Sequence, residues 1–267
     1  MNSVVFKKEL KRNKKNTGIW TAIVVAFTAM ILSIFPSFSE MGEEMAKLMS
    51  SLPEEYAKAL GMDEETWSSI IGYYGTYYGI YITLLMGIFT ASTGATIIGK
   101  EERDGTAEFL LTRPISRGSI ATTKLMVLGA LFMIIYGIQT LSAVIGLLIF
   151  SEEVNWSVFT AMHVHGFFLV GLFTASGVLM SSFLSPKFNY MGPVVGLIFG
   201  SYFLNAISMA SEKVSWLGYF SPYHYLNLSA KNGVLELNLI TCFCASVVSA
   251  ILLWIAYKRY LTRDIVG

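Results

Sequence analysis

From Ile70 to Ile98 the chain carries no Asp, Glu, Lys or Arg, and this stretch is longer than the ~20 residues that cross the hydrocarbon core of a bilayer. In lipid a single segment satisfies its own backbone hydrogen bonds only as a helix. Further apolar runs at about 18–36, 120–150, 158–184, 188–210 and 235–257 bring the expectation to six transmembrane helices, an all-α integral membrane fold. Composition agrees: charged residues make up 14% of the chain, against about a quarter in soluble domains, and hydrophobic residues 54%. A soluble core of this length has no way to hide that much apolar surface, so lipid is the expected solvent.

Between the second and third runs lies a charged island, GKEERDGTAEFLLTRPISRGSIATTK, from Gly99 to Lys124. Asp104 and Thr106 read as N-cap residues, Ala107, Leu110, Leu111 and Pro114 share one helix face, and Pro114 ends the helix. The expectation is a short amphipathic helix across the membrane surface, ringed by Lys100, Arg103, Arg113, Arg117 and Lys124. The order of elements is the specific part: acidic and basic residues (Glu101, Glu102, Arg103, Asp104), then Gly105-Thr106-x-Glu108, then Leu110-Leu111, then Arg113-Pro114-x-Ser116-Arg117. In that order the island resembles the cytoplasmic coupling loop of ABC-2 type transporter permeases.

Charge sets the expected topology. Residues 1–16 hold Lys7, Lys8, Lys11, Arg12, Lys14 and Lys15 against one acid, Glu9, and read as a basic interfacial helix on an anionic cytoplasmic leaflet. Residues 17–267 form the transmembrane domain, with loop 99–124 inside and loops 37–66 and 211–234 outside. The proposed inner pieces then hold fifteen of the nineteen Lys and Arg residues, and the outer pieces only Lys47, Lys58, Lys213 and Lys231, which places both termini in the cytoplasm of a multi-pass cell-membrane protein, bacterial by expectation. Loop 37–66 is acidic, and loop 211–234 is aromatic around Ser221-Pro222 and reads as short re-entrant helices.

Gly94 to Lys100 matches G-x-x-x-x-G-K, but Glu101 follows where a P-loop needs Ser or Thr for magnesium, so no nucleotide is expected on this chain. Secondary transporters place ionisable groups at membrane depth to carry coupling ions, and these spans have almost none. His163 and His165 stand on different faces of the fourth span, which suits interfacial hydrogen bonding better than one metal. Phe159 and His163 make an F-x-x-x-H fragment like that of intramembrane CAAX-type proteases, whose Glu-Glu-x-x-x-Arg element is missing here. Cys242 and Cys244, two apart on a helix, diverge too far for a disulfide and read as buried thiols.

The resemblance to ABC-2 permeases extends to the basic leading helix, the six spans, the stretch around Ser221-Pro222 and the tail ending Arg263-Asp264-Ile265. It implies a transport subunit without enzymatic activity or bound cofactor, paired with a second copy or a sister permease and with two ABC ATP-binding subunits that carry ATP and Mg2+. It implies ATPase coupling through Glu101, Glu102, Arg103, Asp104, Gly105, Thr106, Glu108, Leu110, Leu111, Arg113, Pro114 and Arg117. It also implies that Gly192, Gly196 and Gly200 face the partner permease or the route, with Tyr73, Tyr77, Tyr202 and Asn205 as route lining. The expected cargo is a drug, antimicrobial peptide, lipid or ion moving outward. Membrane lipid is an expected partner and nucleic acid is not. The alternative is a membrane anchor of an immunity or sensing complex that moves nothing.

Overall fold

A computed structural model of the chain describes residues 2–40, 69–106, 115–151, 153–185, 188–229 and 234–262. Six helices among these residues are long and apolar enough to cross a membrane, and there is no sheet. They are α1 (Ser3–Glu40), α2 (Ile70–Ile97), α4 (Arg117–Phe150), α5 (Trp156–Phe183), α6 (Met191–Ala210) and α8 (Leu239–Thr262), joined by the short α3 (Lys100–Arg103) and α7 (Pro222–Tyr225). Polar residues start the spans where the pattern needs them. The side chains of Ser69, Ser116 and Asn155 each accept from a backbone N–H in the first turn of α2, α4 and α5.

The basic N-terminal segment is not a separate surface helix. Residues 3–40 form one helix of 38 residues, passing without a break through Gly18 and even Pro36. Its first turns extend the first span below the apolar zone, because nothing in Lys14-Lys15-Asn16-Thr17 stops a helix. The expected acidic loop lies mostly over residues 41–68, outside the described residues.

The core is built on α2 and α5, which cross at small residues. A Cβ on Gly177 would stand 2.1 Å from the Ala91 carbonyl oxygen, and one on Gly94 would stand 3.0 Å from the Thr174 carbonyl oxygen, so the two backbones touch. In the middle of α2 a π-helical turn at Tyr78–Ile82 widens the helix, and the Tyr78 ring lies over Gly166, where a Cβ would meet the phenol oxygen at 2.1 Å. Tyr78 and Tyr136 hydroxyls share a bond of 2.6 Å, and the Tyr136 hydroxyl donates to the His163 carbonyl. Gln139 donates to the Tyr74 hydroxyl at 2.9 Å, and Tyr74 lies 3.3 Å from His163 Nε2.

Around this pair, α1 packs on α4, with Leu32 filling the notch at Gly146, and α8 packs on α5. His165 ties the connection between α7 and α8 to α5: its Nδ1 is 2.7 Å from the Asn227 carbonyl and its Nε2 accepts the Asn238 N–H at 3.1 Å. Two hydrogen bonds of opposite sense select the neutral Nδ1–H tautomer. Both histidines are thus hydrogen-bonded, and among the described residues no cluster is suited to a metal. Cys242 is buried, whereas Cys244, expected inside, is exposed on α8. By contrast α6 is peripheral, with only 17% of its apolar window covered, against 67% for α2.

Candidate coupling interface and the cleft at the opposite end

The charged island begins where α2 runs out at Ile97. Gly99 precedes α3, and Gly105 closes it in the left-handed region at φ 66°, a conformation glycine adopts without penalty. The Thr106 N–H donates to the Glu101 carbonyl at 2.8 Å and the Gly105 N–H to the Glu102 carbonyl at 3.3 Å, the pair of bonds of a Schellman ending. Asp104, expected as an N-cap, is therefore the C-cap of α3, because the glycine beside it supplies a stop. Glu108, Leu110, Leu111, Arg113 and Pro114, the centre of the expected surface helix, lie outside the described residues. Arg117 follows as the half-buried first residue of α4.

Two helices, α1 and α4, are held to α3 through ion pairs. Lys124 of α4 is 0% exposed, forms an ion pair with Glu101, and donates to the Ile98 carbonyl at 3.0 Å. Glu9 of α1 is 2% exposed and stands 3.8 Å from Lys100 Nζ. Arg12 of α1 pairs with Asp104, which also lies 3.6 Å from Arg103. The N–H of Asn2 donates to the Thr123 hydroxyl at 3.0 Å, joining the start of α1 directly to α4. Below the pairs an apolar layer of Ile97, Ile98, Leu128, Ala256 and Tyr260 seals the end of the bundle.

The electrostatics are graded by burial. Desolvation pulls the Lys100 ammonium below its ordinary range, with the charge of Glu9 opposing it. At Asp104 desolvation pushes the other way, but the hydrogen bond and charge of Arg12, with Arg103 behind, hold the carboxyl below its usual value. Lys124 and Glu101 form the costly pair: a buried ammonium is tolerated only while its partners stay in place. The signal for Glu9 was present in the sequence, since it is the single acid in a run of six cations, but nothing local said which cation it faces.

At the opposite end, the residues named as route lining separate. Tyr202 and Asn205 of α6 share a cleft of about 50 Å³ with Thr76 and Gly79 of α2 and with Tyr223. Tyr73 turns toward α1 instead, its ring packing on Phe35 at 5.4 Å, and Tyr77 lies against Tyr73 at 4.9 Å. The Ser221 hydroxyl donates to the Ser201 carbonyl at 2.6 Å and caps α7, so the segment that carries Tyr223 into this cleft is anchored to α6. Gly192, Gly196 and Gly200 have no described atom within 4 Å of where a Cβ would stand, so their stripe of α6 is open.

No curated protein sequence matches this chain. A family model described as ABC-2 family transporter protein matches residues 3–265, essentially the whole length, and covers both the ion-paired end and the cleft. The family is one of membrane subunits for transport, not themselves catalytic, and it implies association with an ABC ATP-binding subunit. Six apolar spans, one end clasped by charges around a short loop helix, and a match over residues 3–265 lead to one conclusion: this chain is a multi-pass membrane protein of the ABC-2 transporter family.

Proposed function

We propose that the chain is the permease subunit of an ABC exporter, with its basic end in the cytoplasm and ATP and Mg2+ bound by a separate ATPase. The observation that carries this reading is the ion-pair clasp: α3, which continues from α2, holds α1 through Glu9 and Arg12 and α4 through Lys124. A force applied to the loop is thereby delivered to three spans together, because packed helices transmit displacement as rigid bodies. In this reading two ATP-binding subunits close on ATP and move the segment around Leu110 and Leu111. The shift in α1, α2 and α4 then opens an outward route past Tyr202 and Asn205. The open stripe at Gly192, Gly196 and Gly200 supports a second copy or a sister permease on α6. Cargo is proposed only as a class: a drug, antimicrobial peptide, lipid or ion. The membrane proposed is a bacterial plasma membrane.

The test is a pull-down from host membranes with the detergent-solubilised chain, intact and as Leu110→Asp/Leu111→Asp. Capture of an ABC ATPase by the intact chain and its loss in the variant are expected. Failure of the intact chain to capture one overturns the reading. Vesicles holding the captured complex are then scored for ATP-dependent transport, which a non-transporting anchor would not perform.

A further inference from the structure

The N-terminal half of α1 has two faces with different fates. Glu9 and Arg12 turn toward α3 and are engaged there. Lys7, Lys11 and Lys14 turn the other way and are exposed, with no acidic partner among the described residues. They stand at the mouth of a groove of about 710 Å³ between α1 and α4. Above the lysines the walls are apolar, with Ala22 and Val25 on one side and Leu131, Ile134 and Ile138 on the other. Gly18 opens the wall midway, since nothing lies within 4 Å of where its Cβ would stand. From Lys14 to Val25 the groove climbs roughly 16 Å at the helical rise of about 1.5 Å per residue. That is close to one leaflet, about half of the ~30 Å hydrocarbon core.

We propose that this groove is a binding site for one anionic phospholipid of the leaflet at the basic end, with an acyl chain between α1 and α4 and the phosphate headgroup on Lys7, Lys11 and Lys14. Charge and shape agree on the occupant. The rim is cationic and the channel above it is apolar, the division found in a single lipid molecule. A second copy of α1 is disfavoured there, because six Lys and Arg against one Glu over residues 1–16 would face their own kind. A soluble subunit has no reason to enter a channel at bilayer depth. The site does not depend on transport or on an ATPase, so it stands or falls separately from the reading above.

The test uses the full chain in nanodiscs of phosphatidylcholine and phosphatidylglycerol in equal amounts, extracted gently and weighed by native mass spectrometry. The intact chain should retain one phosphatidylglycerol in preference to phosphatidylcholine. Lys11→Gln/Lys14→Gln should lose that preference by roughly 25-fold, at about fivefold for each lysine near a membrane surface. Lys8→Gln/Lys15→Gln, which removes equal charge from residues that do not line the groove, should keep it within about twofold. Gly18→Trp should abolish retention of either lipid while the melting temperature holds. Equal losses in the two lysine pairs, no preference in the intact chain, displacement by soluble glycerol phosphate, or cross-linking of Ala22→Cys to a second copy would each overturn the proposal.

Discussion

Lys124 and Glu101 lend themselves to a decisive perturbation because their burial differs. Lys124 is 0% exposed, whereas the Glu101 side chain keeps 14% of its surface. Replacing Glu101 with Ala strands an ammonium in an apolar layer with one carbonyl for company, and an uncompensated buried charge costs about 3–5 kcal/mol. Replacing Lys124 with Met keeps the bulk and removes the charge. Glu101 then rotates into water, and the main loss is the bond to the Ile98 carbonyl, about 1–3 kcal/mol for an acceptor left unpaired. The double variant Glu101→Ala/Lys124→Met strands nothing and should resemble Lys124→Met alone. The expected order of melting temperatures in detergent is therefore intact, then Lys124→Met and the double variant together, then Glu101→Ala. The Glu101→Ala deficit should be on the order of 10 °C at about 2–4 °C per kcal/mol for a chain of this size. Additive losses in the double variant, or a milder Glu101→Ala than Lys124→Met, would show that the pair is not buried and coupled as described.

Three more expectations follow from the geometry. Asp104 has its carboxyl held below the ordinary value of 3.8 in the folded state, so the unfolded chain binds its proton first as pH falls. Its contribution is complete above that value and is lost as pH drops through the lower folded one; melting curves below pH 4 should flatten in Asp104→Asn if this holds, and should be unchanged if Arg12 does not engage it. Gly177→Ala places a methyl group 2.1 Å from the Ala91 carbonyl oxygen and should cost about 1–3 kcal/mol or more, while Gly171→Ala on the same helix, with nothing within 4 Å, should be neutral by the same melt. Gln139→Leu removes a buried amide whose carbonyl oxygen has no described partner, together with its donation to the Tyr74 hydroxyl, which keeps His163 Nε2 at 3.3 Å; the two effects offset, and stability should change by no more than about 1 kcal/mol, read by denaturation in mild detergent.

The candidate site was partly legible. Glu101, Asp104, Gly105 and Lys124 stood in the sequence as a charged island, and a glycine after acids signals a helix end. The role of Asp104 is ambiguous in sequence, because an Asp before Gly-Thr suits the start of one helix as well as the end of another. Only backbone geometry separates the two. Route residues could not be sorted either: Tyr73, Tyr77, Tyr202 and Asn205 are all compatible with a cavity by type, and the rotation of α2 and α6 decides that only the last two share one.

By itself the sequence determined the six spans, the all-helical class and the gathering of basic residues in particular segments, because hydropathy and charge are local sums that a bilayer reads segment by segment. Only the tertiary structure decided which charges meet. Glu9 finds Lys100 and Arg12 finds Asp104 across 91 and 92 residues of chain. It likewise decided that α1 is unbroken, that α2 and α5 touch through Gly94 and Gly177, and that three lysines of α1 open onto a groove. Pairing across such distances depends on helix rotation and depth, and those are set by the packing of all the spans together.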